Sequence, residues 1–274
     1  MSTLAASEFD WVCRLVRRRS AIVLEPGKEY LVESRLLPVA RSSGETSVAA
    51  LVARLKREPE GRLSDAVIDA MTTNETSFFR DQHPFDALSR HVLPELLRKR
   101  ATERRLSIWC SAASAGQEPY TIAMLVQEAL RTSPGTTASL LATDISEQML
   151  ARTRAGRYSQ LEVNRGLPIG MLVKWFDKVG TEWQVKQELR SMVQTRLVNL
   201  AVPLPVLGQH DVVFLRNVLI YFDTATKRQV LERVRRVLRP DGYLFLGGAE
   251  TTLNLDGAWE RVVLDRATVY RPRG

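Results

Sequence analysis

An all-helical N-terminal domain followed by a doubly wound α/β domain is the architecture this sequence predicts, and three observations carry the prediction. Over roughly the first 80 residues, apolar side chains recur at helical spacing with no strand-like alternation. Beyond about Pro84, short apolar runs alternate with helical patterns in the order strand, loop, helix, strand. At roughly 150 residues per domain, a chain of 274 residues is long enough for about two domains.

The helical part, residues 1–80, divides at its breakers. Phe9, Trp11, Val12, Leu15 and Val16 form one stripe, and Glu25-Pro26-Gly27 is a turn. Tyr30, Leu31, Leu36 and Leu37 predict a second helix to about Arg41, ended by Ser42-Ser43-Gly44. Val48, Leu51, Val52 and Leu55 make a third stripe, and residues 63–71 a fourth after Pro59 and Gly61. Within 81–274, a helix starting at His83-Pro84 should run through Leu97 with a kink or break at Pro94. Strands are expected at 106–110, 139–142, 211–215, 243–246 and 262–270, and helices at 119–130, 147–154 and 224–238. Arg239-Pro240-Asp241-Gly242 reads as a turn. The irregular stretch 167–200, with short antiparallel strands expected at 183–185 and 192–198, reads as a small β-subdomain inserted into the sheet domain.

Composition removes several classes of function. No run approaches the roughly 18 apolar residues of a membrane span, and the run at 212–215 is cut by Arg216 and Asn217. The start, MSTLAASEFDW, has no basic-then-apolar leader, so a cytoplasmic location is expected. Cys13 and Cys110 cannot make a disulfide framework. With His83, His91 and His210 they are too few and too scattered for a metal cluster, so no metal is expected. The net charge of +8 permits nucleic acid, an acidic membrane surface or an acidic protein partner without choosing among them. The clusters Arg17-Arg18-Arg19 and Arg98-Lys99-Arg100 through Arg104-Arg105 read as solvated faces.

Four segments carry chemistry. The first strand runs into a small-residue loop ending Ala115-Gly116-Gln117-Glu118-Pro119. At the carboxyl end of a strand such a loop lets a ligand approach the backbone, or it is simply a tight strand–helix turn. With one glycine it is no dinucleotide fingerprint. Asp144, at the tip of the second strand, suits the hydroxyls of a ribose; alternatively Asp144 or Ser146 caps the next helix. Arg216 and Asn217 follow a fully apolar strand, beside the same crevice or as loop anchors. Asn74-Glu75-Thr76-Ser77-Phe78-Phe79-Arg80-Asp81, at the domain junction, is either a cap and hinge or a lid whose rings exclude water.

Taken together, NETSFFRD (74–81), IWCSAASAGQEPYTIAM (108–124), LLATDIS (140–146), Val198-Asn199-Leu200, FLRNVLIYF (214–222) and RPDGYLFLGGAET (239–251) resemble the chemotaxis receptor methyltransferases, the CheR family. Order and spacing agree over nearly the whole chain. The resemblance implies S-adenosylmethionine as methyl donor, S-adenosylhomocysteine as product and receptor glutamates as acceptors. It implies that Asn74, Thr76 and Arg80 contact the cofactor from the junction, that Glu118 lies at its amino-acid or adjoining end and Asp144 on its ribose. Asn199 and Leu200 would flank the adenine with Arg216 and Asn217 nearby, and Tyr221 would face the methyl-transfer site. Arg80 or Tyr221 is expected to orient the substrate carboxylate. Gln117 stands where the family commonly has Glu, and the turn at 177–181 is short, with only Gly180. Some relatives carry a longer loop there that docks a receptor's C-terminal peptide, so that tethering is not expected here.

The implied partner is the helical bundle of chemoreceptor cytoplasmic regions, met by a basic face of Arg14, Arg17, Arg35, Arg41, Arg54, Lys56 and Arg57. The enzyme is then expected at receptor arrays on the inner membrane, as a monomer that neither inserts in lipid nor binds nucleic acid. A nucleic-acid methyltransferase of the amino-methylating kind is disfavoured because Arg216-Asn217-Val218-Leu219 lacks a proline pair after the strand. A non-catalytic donor-binding regulator is disfavoured because the site segments are intact.

Overall fold

The computed structural model of the chain describes residues 4–273. Residues 1–3 and 274, which fall within the expected domains 1–80 and 81–274, lie outside the described residues. Helices α1 (Ala6–Ser20), α2 (Glu29–Ser42), α3 (Val48–Arg57) and α4 (Arg62–Met71) close on a core of their own. Phe9, Val12, Leu15 and Val16 of α1 meet Val32, Leu36 and Ala40 of α2, with Leu51, Leu55, Val67 and Met71 between. This is burial of one apolar stripe per helix. Tyr30, expected on the inner stripe, is 66 % exposed because α2 turns Val32, Leu36 and Ala40 inward instead.

The next helix departs from expectation at Pro94. Instead of kinking, α5 (His83–Ala87) widens into a π-turn over Leu88–Val92, and α6 (Leu93–Lys99) follows. The Leu93 N–H reaches back five residues to the Leu88 carbonyl. Pro94 thus stands in the first turn of a new α segment, where its missing N–H costs nothing.

Then come β1 (Arg105–Ser111), α7 (Gln117–Leu130), β2 (Thr137–Asp144), α8 (Glu147–Ala155), β3 (Arg157–Ser159), α9 (Gln160–Asn164), α10 (Ile169–Trp175), β4 (Phe176–Val179), β5 (Glu182–Val185) and α11 (Gln187–Met192). They are followed by β6 (Val193–Leu197), β7 (His210–Leu215), a 3-10 turn (Leu219–Tyr221), α12 (Thr224–Val237), β8 (Leu238–Leu246), β9 (Trp259–Leu264) and β10 (Ala267–Pro272). Seven strands form one sheet in the order β6-β2-β1-β7-β8-β10-β9. The strands from β6 to β8 are parallel, and β10 lies antiparallel between β8 and β9. Ile108 and Cys110 of β1 enter the core layer beneath α7, and Trp109 enters the layer beneath α12. The chain leaves β1 toward β2 and β6, then returns to β7 on the other side. A crevice therefore opens at the carboxyl ends of β1 and β7.

Four expectations need correction. Residues 192–198 were expected in the inserted subdomain. Instead β6 pairs parallel with β2, Leu140 opposite Val193 through Asp144 opposite Leu197, as the edge of the main sheet. The antiparallel subdomain is made of β3-β5-β4 and so begins at Arg157, ahead of the expected 167–200. Residues 262–270 are parts of two strands, joined at Asp265-Arg266 with Asp265 left-handed (φ 52°). The expected turn at 239–242 lies inside β8, where the register with β7 jumps from His210–Leu238 to Val212–Tyr243.

A buried ion-pair network adjoins that irregularity. Arg100 was grouped with solvated charges but is buried. Its Nε lies 2.7 Å from Asp211 Oδ1, and its two terminal nitrogens lie 3.0 and 2.6 Å from the Asp241 carboxylate. Asp211 Oδ2 also accepts the Ser107 N–H at 2.8 Å. The end of α6 is thereby locked to the starts of β1 and β7 and to the bulge of β8.

Beside this network His210 is buried, with Nδ1 2.9 Å from Ser107 Oγ and Nε2 without a hydrogen-bond partner among the described residues. Burial pushes its pKa down to about 4, from 6.5. As pH falls, the unfolded chain therefore takes the proton first. The contribution of the neutral ring to stability is complete above about pH 6.5 and lost toward pH 4. In urea titrations between pH 7 and 4, the wild-type chain should lose more stability than His210→Gln, by on the order of 3 kcal/mol.

Candidate functional site

The loop that leaves β1 is built from small residues because its backbone is folded tightly. Ala112 and Ser114 are left-handed (φ 54° and 51°), and so is Gly116 (φ 97°). A Cβ on Gly116 would stand 2.7 Å from Tyr158 Oη and 3.0 Å from Thr153 Oγ1, so only glycine fits there. This fold aims the Ser114 N–H at Asp144 Oδ2 (2.8 Å), while the Ser146 N–H reaches Oδ1 (2.9 Å). The cap of α8 is Ser146, whose Oγ accepts the Met149 N–H at 3.2 Å. Asp144 is thus free of capping duty. Its buried carboxyl is pushed up in pKa by desolvation, and the two main-chain donors oppose that shift. Each oxygen keeps further acceptor capacity.

The segment from Asn74 to Asp81 straps across this loop. Ser114 Oγ donates to the Asn74 carbonyl (2.8 Å), and the Asn74 amide donates to Thr72 Oγ1 (3.0 Å). Arg80 Nη1 donates to the Glu75 carbonyl at 3.0 Å. The strap is strained at its end, where Phe79, Asp81 and the following Gln82 all have positive φ (49°, 66° and 42°). Its two rings do not close the crevice as a lid. Phe78 packs edge-on against Tyr158 and Phe176, Phe79 against Phe85, and both anchor the strap in the core.

Arg216 holds strap, sheet and helix together. Its side chain is 0 % exposed. Nη1 lies 2.5 Å from Glu118 Oε2, and Nη2 lies 2.7 Å from Asp81 Oδ2 and 3.0 Å from the Arg80 carbonyl. What Arg216 presents to solvent is therefore main chain. The other oxygen of Glu118 accepts from the buried Cys110 thiol at 3.3 Å, and burial together with that carboxylate pushes the thiol pKa well up. Asn217 follows in the left-handed region (φ 55°), and Tyr221 ends the 3-10 turn, half-buried. Among the described residues its hydroxyl has no hydrogen-bond partner.

The N-terminal domain supplies the remaining wall. Its first helix ends beside the sheet, where the Asn199 amide donates to the Arg19 carbonyl (2.6 Å) and the Val23 N–H donates to the Tyr221 carbonyl (2.9 Å). One cleft results, lined by all ten residues expected at the site: Asn74, Thr76, Arg80, Glu118, Asp144, Asn199, Leu200, Arg216, Asn217 and Tyr221. Ser20 and Ile22 line it too, and sequence reasoning missed them. They lie far from the motifs in sequence, and a helix end carries no sign of what it will meet.

Two family matches cover this chain. Residues 74–267 match the SAM-binding domain of CheR methyltransferases, and residues 7–72 match the all-alpha domain of the same proteins. The chain belongs to the CheR methyltransferase family. It is 40 % identical to chemotaxis protein methyltransferase 1 of Pseudomonas aeruginosa, covering 98 % of this chain and 99 % of that protein. Identity is 39 % to chemotaxis protein methyltransferase Cher2 of Pseudomonas putida, over 97 % and 98 % of the two chains. It is 35 % to the chemotaxis protein methyltransferase of Escherichia coli, over 97 % and 91 %.

The cleft of this CheR methyltransferase fits S-adenosylmethionine on its own geometry. It offers a buried acceptor at the tip of β2 and a small-residue loop open to close approach, with polar side chains from the strap, β7 and α7 converging on one concave site. Among the described residues no group of three or more His, Cys, Asp or Glu side chains is arranged to hold a metal ion. Replacing Arg216 by Met leaves the largely buried Glu118 carboxylate without its cation and frees the strap. Urea unfolding should show a loss of about 3 kcal/mol, and calorimetry should show weaker binding of S-adenosylhomocysteine.

Proposed function

We propose that this cleft holds S-adenosylmethionine along the carboxyl edge of β1, β2 and β7 and presents its methyl group to a glutamate side chain of a chemoreceptor. The activity goes with the family: the chain is a chemotaxis protein methyltransferase that uses S-adenosylmethionine. The residue roles are our reading. The observation that carries it is the convergence of the Asp144 carboxylate, the left-handed loop at Ala112–Gly116 and the strap at Asn74–Arg80 on one cleft.

In this reading Asp144 receives the ribose hydroxyls, and Asn74, Thr76 and Glu118 lie toward the amino-acid end. Asn199 and Leu200 flank the base, with the main chain of Arg216 and Asn217 beside them. The Asn199 amide is engaged with Arg19 and the Arg216 guanidinium with two carboxylates, so each acts mainly by holding the wall in place. When bound, S-adenosylmethionine supplies a methyl group on a positively charged sulfur. The acceptor needs no general base, because a glutamate carboxylate, with a pKa of about 4.3, is already ionised at neutral pH. The protein's task is alignment and exclusion of water. Arg80, with donors beyond the one spent on Glu75, and Tyr221, with a free hydroxyl, are placed to orient that carboxylate.

The acceptor is read as the carboxylate-bearing helical bundle of a chemoreceptor, approached by exposed cations of the first domain. Three of the expected cations have other work. Arg17 pairs with Asp223, Arg35 donates to the carbonyls of Met71 and Thr72, and Arg54 holds Glu45 and the Ser43 carbonyl. Arg14, Arg41, Lys56 and Arg57 are exposed, with no ion pair among the described residues, and carry the proposal. The turn between β4 and β5 is only Gly180-Thr181, and we read it as unsuited to tethering a receptor tail. No helix among the described residues is long and apolar enough to cross a membrane. We place the enzyme, as a monomer, on the cytoplasmic side of receptor arrays.

Asp144→Ala should reduce the affinity for S-adenosylhomocysteine at least tenfold in isothermal titration; unchanged affinity would remove Asp144 from the ribose. Methylation of receptor-containing membranes should slow as salt rises from about 50 to 300 mM, since steering between exposed charges is screened. Reversing Arg41 and Lys56 to Glu should flatten that dependence, and an identical salt profile would dismiss the basic face.

A further inference from the structure

Glu250 lies in the loop after β8 and is buried, yet among the described residues it pairs with no cation. Its charge is met by main chain instead. Oε2 accepts the N–H groups of Asn217 (2.8 Å) and Gly247 (2.7 Å), and Oε1 accepts those of Val218 (2.9 Å) and Ile220 (3.3 Å). Three of the four donors belong to the loop that follows β7 and ends at Tyr221. On its far side the same loop is held through the Tyr221 carbonyl by the Val23 N–H.

Gly247 shows how closely the two loops approach. A Cβ there would come 2.8 Å from Glu250 Oε2 and from Asn217 Nδ2, and 2.9 Å from Asn217 N. The backbone of Gly247 is not left-handed, so the requirement for glycine is one of space rather than of φ. Asn217 does sit in the left-handed region, which asparagine tolerates better than most other residues.

We propose that Glu250 is a positioning residue for methyl transfer: by gathering four main-chain donors on one carboxylate it fixes the 217–221 loop, and with it the Tyr221 ring. The inference rests on the reading that Tyr221 faces the transfer site. No neutral isostere can replace the carboxylate. Glutamine offers a single acceptor oxygen, and its NH2 group would point hydrogens at two N–H donors, leaving half of the loop unpaired. Glu250 does not line the main cleft, so it acts through the loop and not on the substrate.

The test is a double-variant cycle with initial rates of methyl transfer to receptor-containing membranes at saturating S-adenosylmethionine. Glu250→Gln should lower kcat about 30-fold, while the protein still unfolds in one transition that shifts upward with S-adenosylhomocysteine. Tyr221→Phe should also lower kcat. The double variant should fall within about threefold of the slower single variant, because both changes disable the same unit. If the two losses multiply, or if Glu250→Gln has the wild-type rate, Glu250 does not act through Tyr221 and the inference is overturned while the reading of the cleft stands. If Tyr221→Phe alone has the wild-type rate, the role of Tyr221 fails first and takes the inference with it. Should Glu250→Gln not fold, Gly247→Ala crowds the same carboxylate from the other loop. The same non-multiplicative result with Tyr221→Phe is then expected, and multiplication again overturns the inference.

Discussion

The buried guanidinium of Arg216 is the interaction on which the working end of this protein depends. It joins three elements that share no neighbourhood in sequence: the tip of β7, the first turn of α7 through Glu118, and the strap at the domain junction through Asp81. Such a charge is costly to desolvate and is tolerated because most of its donors are met by carboxylates and a carbonyl. The strap and the residue after it carry three positive-φ residues within four positions and would not hold that shape unaided. Arg216 therefore places Arg80 without reaching the cleft with its own side chain.

Acidic groups around the cleft are handled differently. Asp144 and Glu250 have no cation partner among the described residues; each is held by main-chain N–H groups delivered by a sharply folded loop. A carboxylate held in this way is oriented firmly and leaves cationic side chains free for other work. Tight loops are the cost, which is why small residues and glycine collect at the carboxyl edge of the sheet. The two domains share the cleft wall, since the end of α1 is bonded to Asn199 and Tyr221 of the sheet domain. A change in how the helical domain sits would thus be felt at the donor site.

Much of the fold was legible because central strands buried on both faces are written as short apolar runs. The run 211–215 is such a case: β7 is buried at every position. The candidate site was legible for a related reason. In a doubly wound sheet, polar residues just past strand ends are not called for by the packing of the apolar strands, so Asp144, Arg216 and Asn217 stood out. Other features were hidden. The edge strand β6 alternates in exposure, and alternation tells which side faces inward, not which strand lies alongside. The three residues of β3 are too short to show a pattern. Arg100 looked like one more surface charge because nothing local reveals that Asp211 and Asp241, more than 100 residues away, will close over it.

By itself the sequence determined the helical domain, the order of strand, loop and helix, the family and the residues that gather at one cleft. These depend on side-chain period and on short motifs, which are local properties of the chain. Only the tertiary structure decided that Phe78 and Phe79 point into the core, that Arg216 is a bridge and not a cofactor contact through its side chain, and that Glu250 braces the loop carrying Tyr221. Hydrogen-bond partners and burial are set by which distant segments meet. That meeting is fixed by packing of the whole chain rather than by any stretch of it.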